Sequence, residues 1–263
     1  WWIMAGMFIG AVFISYNISY FFLAFLSFIA FRELYSVLGF READRGALFW
    51  GILAIPIQYY LAYLAWYGAF IIFIPVVMFL VLPLRLVLKE DTHGITKSMA
   101  LLQWILMLSV FGISHLAYLL SLPELPGFNA GGRGLLLFLV FLTEINDIMQ
   151  FICGKLLGRH KILPKVSPNK TWEGFLGGVI STTAIGYFLG FLTPLSAPNV
   201  LLVSTLIAIA GFSGDVVISA IKRVKGIKDM GNSIPGHGGV FDRIDSLSYT
   251  APVFFHLVYY IAY

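Results

Sequence analysis

Long apolar stretches separated by short polar punctuation set the pattern of this chain. Read by hydropathy they predict nine spans, at about 1–16, 18–39, 46–65, 67–88, 98–120, 133–156, 173–193, 199–221 and 247–263, with a hairpin at Asn17 between the first two. Pro56 and Pro75 fall inside the third and fourth spans and predict kinks there, which neighbouring helices can tolerate by satisfying the freed carbonyls. No segment alternates with period two over a strand-sized length, so a β-barrel is not expected. The expected fold class is all-α: a polytopic integral membrane protein with about nine transmembrane helices. About five of them, in 1–132, would serve as scaffold. Residues 133–263 would form a catalytic transmembrane region with two cytoplasmic loops, 154–174 and 221–246, the first carrying a Ser-Pro-Asn turn.

Composition sharpens this reading without changing it. The 263 residues are 59% hydrophobic and 11% charged, with a mean hydropathy of +0.89, which excludes the soluble classes. Gly (26) and Phe (24) suit closely packed helices in lipid. The single cysteine, Cys153, excludes a disulfide framework and a Cys-based zinc site within one chain, and its apolar context makes it a packing residue. The chain opens on "WWIMAGMFIG" with no basic leader, so no cleavable signal peptide is expected; lacking an initiator methionine, the sequence is expected to be missing its native N-terminus.

Charge then fixes an orientation. Of the 17 Lys and Arg, all but Arg133 lie in alternate connections: Arg32, Arg41 and Arg45; Arg85, Lys89 and Lys97; Lys155, Arg159, Lys161, Lys165 and Lys170; and Lys222, Arg223, Lys225, Lys228 and Arg243. By the positive-inside rule these connections face the cytoplasm, with the N-terminus inside and the C-terminus outside. The expected location is the cytoplasmic (inner) membrane of a bacterium. Taken alone, each basic loop is also explained as a topology signal or a contact for anionic headgroups.

The acidic residues distinguish chemistry from topology. Glu144, Asp147 and Asp215 fall inside predicted spans, where an ionisable group is costly and usually functional. Asp147 and Asp215 are level with the basic loops, near the cytoplasmic surface. Asp242 and Asp245, three apart, would share a face of a helix opening the last span; as a pair they are equally explained as acids favoured by a helix N-terminus. Converging with Asp215, they call for a cation. Hard oxygen ligands point to Mg²⁺, and basic residues in the same loops offer counter-charges for phosphates, the combination that phosphoryl or nucleotidyl transfer needs. "PGHGG" offers backbone amides to an anion but lacks Walker A spacing. His237 is a candidate for phosphate binding or proton transfer, although a lone loop histidine is more often structural.

"SAIKRVKGIKDMGNSIPGHGGVFDRID", residues 219–245, resembles the signature of the CDP-diacylglycerol synthases (phosphatidate cytidylyltransferases), S-x-x-K-R-x4-K-D-x4-[LI]-P-x-H-G-G-x-x-D-R-x-D. "SPNKTWEG", 167–174, is similar to the family's S-P-x-K-T-x-E-G segment, and "GFSGD" places Asp215 at a family aspartate. The resemblance implies the reaction of CTP with phosphatidate, or a related lipid phosphate, to give CDP-diacylglycerol and pyrophosphate, with Mg²⁺ and a monovalent ion such as K⁺, in a homodimer surrounded by membrane lipids. No nucleic-acid partner is expected. It implies Asp215, Asp242 and Asp245 as metal ligands and, with Lys222 and His237, as the catalytic set. Asp147, Ser167, Lys170, Thr171, Arg223, Lys228, Gly238, Gly239 and Arg243 would hold substrate.

Two departures bear on activity. "GDVVIS" carries Ile218 where the family usually has a glutamate, and "NDIMQFICG" keeps Asp147 and Gly154 but loses the small residues and tyrosine usual between them. The rival readings are a catalytically silent paralogue that binds anionic lipid or nucleotide, and a transporter. A transporter would spread polar residues through the mid-membrane region rather than cluster them at one end. A silent binder has no need of the full metal and phosphate set.

Overall fold

The computed structural model describes residues 15–231, 233 and 238–263. The predicted span 1–16 and His237 therefore lie outside the described residues, apart from the last two positions of that span. Eight helices are described: α1 (Tyr16–Leu38), α2 (Arg45–Tyr63), α3 (Tyr67–Val87), α4 (Ile95–Leu120), α5 (Gly131–Leu157), α6 (Trp172–Phe188), α7 (Ala197–Val224) and α8 (Phe241–Ala262). Six segments are long and apolar enough to cross a membrane: α1, α2 with its preceding 3-10 turn, α3, α4, α5 and α7. The protein is thus an all-α membrane protein, with six such helices among the described residues rather than an established nine.

The chain forms two compact units. The first comprises Trp1–Ser121 with Asp229–Asp242, the second Leu122–Lys228 with Arg243–Tyr263. This division differs from the expected one at residue 132. The connection Leu125–Ala130 lines a cavity with Phe191–Ser196 of the second unit, whereas the segment leading to Asp242 is held by a helix of the first.

In the first unit, α1 starts where Ser15 caps it, its hydroxyl accepting from the Ile18 N–H at 3.2 Å. Asn17 sits in the first turn of this helix rather than in a loop, and the span expected to precede the hairpin lies outside the described residues up to position 14. Pro75 lies in a π-helical stretch of α3, Phe73–Met78; proline has no N–H to give the ladder, and a wider turn absorbs the missing bond. Polar side chains join the helices inside the apolar core. The Tyr59 hydroxyl donates to the Leu23 carbonyl at 2.8 Å and pairs with Ser27 at 2.7 Å, while the Gln58 amide donates to the Phe70 carbonyl at 3.2 Å.

In the second unit, α5 and α6 pack backbone to backbone. A Cβ on Gly174 would lie 2.8 Å from the Gln150 carbonyl oxygen, and one on Gly177 would lie 2.6 Å from both Cβ and Sγ of Cys153. Only glycine permits that approach. A short antiparallel hairpin, β1 (Lys161–Leu163) and β2 (Ser167–Thr171), joins the two helices. The expected Ser-Pro-Asn turn is instead part of β2, and the chain reverses at Pro164–Val166, where the Val166 N–H donates to the Leu163 carbonyl at 3.1 Å. Proline at 164 suits that reversal, and Pro168 is tolerated because a two-stranded ribbon has open edges. α8 begins at Phe241, six residues before the predicted span, because the apolar pattern shows only its more hydrophobic part.

Candidate active site

The second unit gathers five of the predicted residues. Asp147 comes from α5, Lys170 from β2, Asp215 and Lys222 from α7, and Asp245 from α8. Lys170 Nζ lies 2.6 Å from Asp215 Oδ2 and donates to Gln150 Oε1 at 2.9 Å, with the ring of Phe212 5.7 Å away. Lys222 Nζ lies 3.9 Å from Asp245 Oδ2. Asp215 is close enough to repel both Asp147 and Asp245, and Lys170 also attracts Asp147. Three carboxylates and two ammonium groups therefore form one charged cluster among apolar helices. The surrounding groups are ordered as well: the Ser219 hydroxyl donates to Asp215 at 3.3 Å, and the Ser246 hydroxyl to Asp147 Oδ2 at 3.0 Å. Asp147 Oδ1 is buried with no hydrogen-bond partner among the described residues.

The remaining basic and polar candidates serve less uniformly. Thr171 is buried, and its hydroxyl accepts from the Gly174 N–H at 3.1 Å, so it caps α6. The exposed Arg223 donates from Nε to the Val166 carbonyl at 3.1 Å, fastening the end of α7 to the hairpin. Ser167 is half-buried in β2, and Lys228 is exposed. Arg243 is half-buried and attracts Glu144 on α5.

The first unit holds the signature's two adjacent glycines and two of its aspartates, Asp229 and Asp242. Asp242 lies in the first turn of α8, and its Oδ2 accepts from the Met230 N–H at 2.8 Å and the Gly239 N–H at 2.9 Å. Gly238 has φ +81°, a left-handed conformation suited to glycine, and a Cβ there would stand 3.1 Å from Asp229. Glu33, buried on α1, accepts from Ser233 Oγ at 2.6 Å, the Val240 N–H at 3.0 Å and the Phe241 N–H at 2.8 Å.

Gln150, Ser246 and Glu33 were missed by the sequence reading. Gln150 and Glu33 carried a usable signal, being polar or ionisable residues inside apolar spans. Ser246 carried little beyond its place next to Asp245.

No three Asp, Glu, His or Cys side chains form a ready metal cage among the described residues. The donors fit a different mode. Magnesium is commonly held by one or two carboxylates, with waters and substrate phosphate completing its shell, and the cluster offers hard oxygens of that kind, including the unpartnered Asp147 Oδ1.

Helices long and apolar enough for a membrane, with carboxylates and lysines paired among them, define a helical membrane protein with a charged cluster inside its apolar helices. The sequence model of the cytidylyltransferase family matches residues 1–261, and the chain belongs to that family. It is 45% identical over 243 residues to the uncharacterized protein YnbB of Escherichia coli K12, covering 92% of this chain and 79% of that protein. It is 39% identical over 140 residues to the phosphatidate cytidylyltransferase of Aquifex aeolicus, covering 53% of this chain and 51% of the relative. With the phosphatidate cytidylyltransferase of Staphylococcus haemolyticus it shares 38% over 127 residues, 48% of this chain and 49% of the relative. The chain spans about half the length of these two curated enzymes.

Proposed function

We propose that this protein transfers CMP from CTP to phosphatidate or a related lipid phosphate, releasing pyrophosphate and forming CDP-diacylglycerol. The observation that carries the reading is the cluster of Asp147, Lys170, Asp215, Lys222 and Asp245 in a chain of the cytidylyltransferase family. A phosphate oxygen of the lipid attacks the α-phosphorus of CTP, and the bond from that phosphorus to the bridging oxygen of the β-phosphate breaks. The attacking phosphate monoester has its second pKa near about 6, so it is largely a dianion at neutral pH and needs no strong base. What the protein must supply is alignment and charge neutralisation. Lys170 and Lys222 are suited to exchange their carboxylate partners for substrate phosphates, with Arg223 and Lys228 nearby in sequence to extend the basic surface. Asp215, Asp242 and Asp245 are the proposed ligands of Mg²⁺, which when bound would neutralise the polyphosphate and the leaving pyrophosphate. His237 is retained as a candidate for phosphate contact, and K⁺ as a second ion. A homodimer in the bacterial inner membrane, with the site facing the cytoplasm, completes the proposal; the distribution of Lys and Arg supports the orientation.

The test is incorporation of labelled CTP into lipid by purified protein with phosphatidate and Mg²⁺, beside an EDTA control. Magnesium-dependent labelled CDP-lipid is the expected result. Folded protein that binds CTP or lipid yet makes no product would replace this reading with that of a silent binder. Ile218, fully buried on α7 where the family usually has a glutamate, motivates a further comparison. Competition between phosphatidate and other lipid phosphates is expected to show preference for a less common acceptor, and strict preference for phosphatidate would refute that expectation.

A further inference from the structure

The signature segment ends in a helix whose first N–H groups need acceptors, since the opening turn of any helix has none of its own. In this protein a residue about two hundred positions upstream supplies them. Both carboxylate oxygens of Glu33 are used: Oε1 accepts from Ser233 Oγ and the Val240 N–H, and Oε2 from the Phe241 N–H. The negative charge also stands at the favourable end of the α8 dipole. The backbone leaves room for nothing larger around this carboxylate. A Cβ on Gly239 would lie 2.6 Å from Glu33 Oε2, and one on Gly231 2.9 Å from its Cδ. Asp242, one residue beyond Phe241, then closes the same segment from inside through Met230 and Gly239.

We infer that Glu33 is a positioning residue for the transfer site: by capping α8 and gripping Ser233, it sets the conformation of residues 238–241 and the aim of Asp242. This assigns the signature's second glycine, Gly239, a reason in packing, because the close approach of Glu33 requires it. The role in catalysis rests on the transfer reading above, whereas the role in ordering the segment does not.

Glu33→Gln keeps the shape but puts an NH2 where one acceptor is needed, leaving a buried donor facing a donor. The purified full chain is followed by hydrogen exchange and by CTP turnover. Exchange in the peptide 238–246 is expected to quicken by about tenfold or more in Glu33→Gln, with α5 unchanged, since losing a buried hydrogen bond opens the segment locally. The kcat is expected to fall by a similar factor, with KM for CTP unchanged. Glu33→Asp, which keeps two acceptor oxygens, should recover part of both. Wild-type exchange and turnover in Glu33→Gln would overturn the proposal. So would faster exchange throughout the chain, which would make Glu33 a general support of the fold. If the wild type makes no CDP-lipid while the variant loosens 238–246 selectively, the transfer reading fails and the ordering role of Glu33 stands.

Discussion

Three carboxylates set among apolar helices repel one another, and each is costly without a partner. Lys170 and Lys222 offset that cost for Asp215 and Asp245, so the resting cluster is a set of ion pairs that an incoming polyphosphate can rearrange. Asp242 is separate in kind, since its Oδ2 serves two backbone donors. Asp242→Asn keeps an acceptor oxygen for those donors but loses the charge. It should therefore stay folded in detergent while turnover falls by about a hundredfold or more, the scale set by removing one pre-organised electrostatic group. Wild-type rates in that variant would remove Asp242 from the metal set. Thr171 tests the opposite assignment. Its hydroxyl already serves as the cap of α6, so Thr171→Ala should lower stability by about 1 kcal/mol with Thr171→Ser close to wild type. Thermal unfolding and KM for CTP, measured together, separate the roles: a raised KM at unchanged stability would restore Thr171 to substrate binding.

Between elements, the tightest constraint is the contact of α5 with α6. Because a Cβ at position 177 would collide with Cys153, Gly177→Ala should destabilise the protein by about 1–3 kcal/mol, the usual cost of overpacking. Adding Cys153→Gly should return part of that loss, less the ~1 kcal/mol cost of glycine in a helix; unfolding of the single and double variants measures the coupling, and strict additivity would contradict the contact. Much of this architecture was legible in the sequence, because membrane helices declare themselves by long apolar runs. The predicted spans at 46–65, 67–88 and 133–156 meet α2, α3 and α5 within a few residues at each end. What escaped was set by local or distant partners that hydropathy does not see. Hydropathy set the last span to begin at 247 because Asp242, Arg243 and Asp245 interrupt the apolar pattern, although the spacing of the two aspartates already suited a helix opening that span. The reversal at Pro164–Val166 was hidden because two prolines and an Asn offered competing turns. Lys170, Asp215 and Lys222 were named as candidates from the resemblance and from the cost of a charge in an apolar span, and they lie in the charged cluster with Asp245. Gln150 and Glu33 carried only the weaker signal of a polar or ionisable residue inside an apolar span, since a side chain that holds another in place carries no motif of its own.

Over the whole molecule, orientation follows from where positive charge is absent. No Lys or Arg occurs between Lys170 and Lys222, so the connection after α6 carries none, whereas the hairpin before α6 follows Lys155 and Arg159 and contains Lys161, Lys165 and Lys170. α6 has 17 residues, about 26 Å at the helical rise, which approaches the roughly 30 Å of a hydrocarbon core. The hairpin and the connection should then face opposite sides, with the hairpin inside. In a Cys153→Ala background, single cysteines at the exposed positions Lys161 and Ser196 report this. A membrane-impermeant thiol reagent added to intact cells should label Ser196→Cys, and should reach Lys161→Cys only after the membrane is opened. Labelling of both from outside would mean that α6 does not cross. The reverse pattern would invert the topology and put the Lys170–Asp215 pair on the side away from CTP, which a cytoplasmic nucleotidyl transfer could not accommodate.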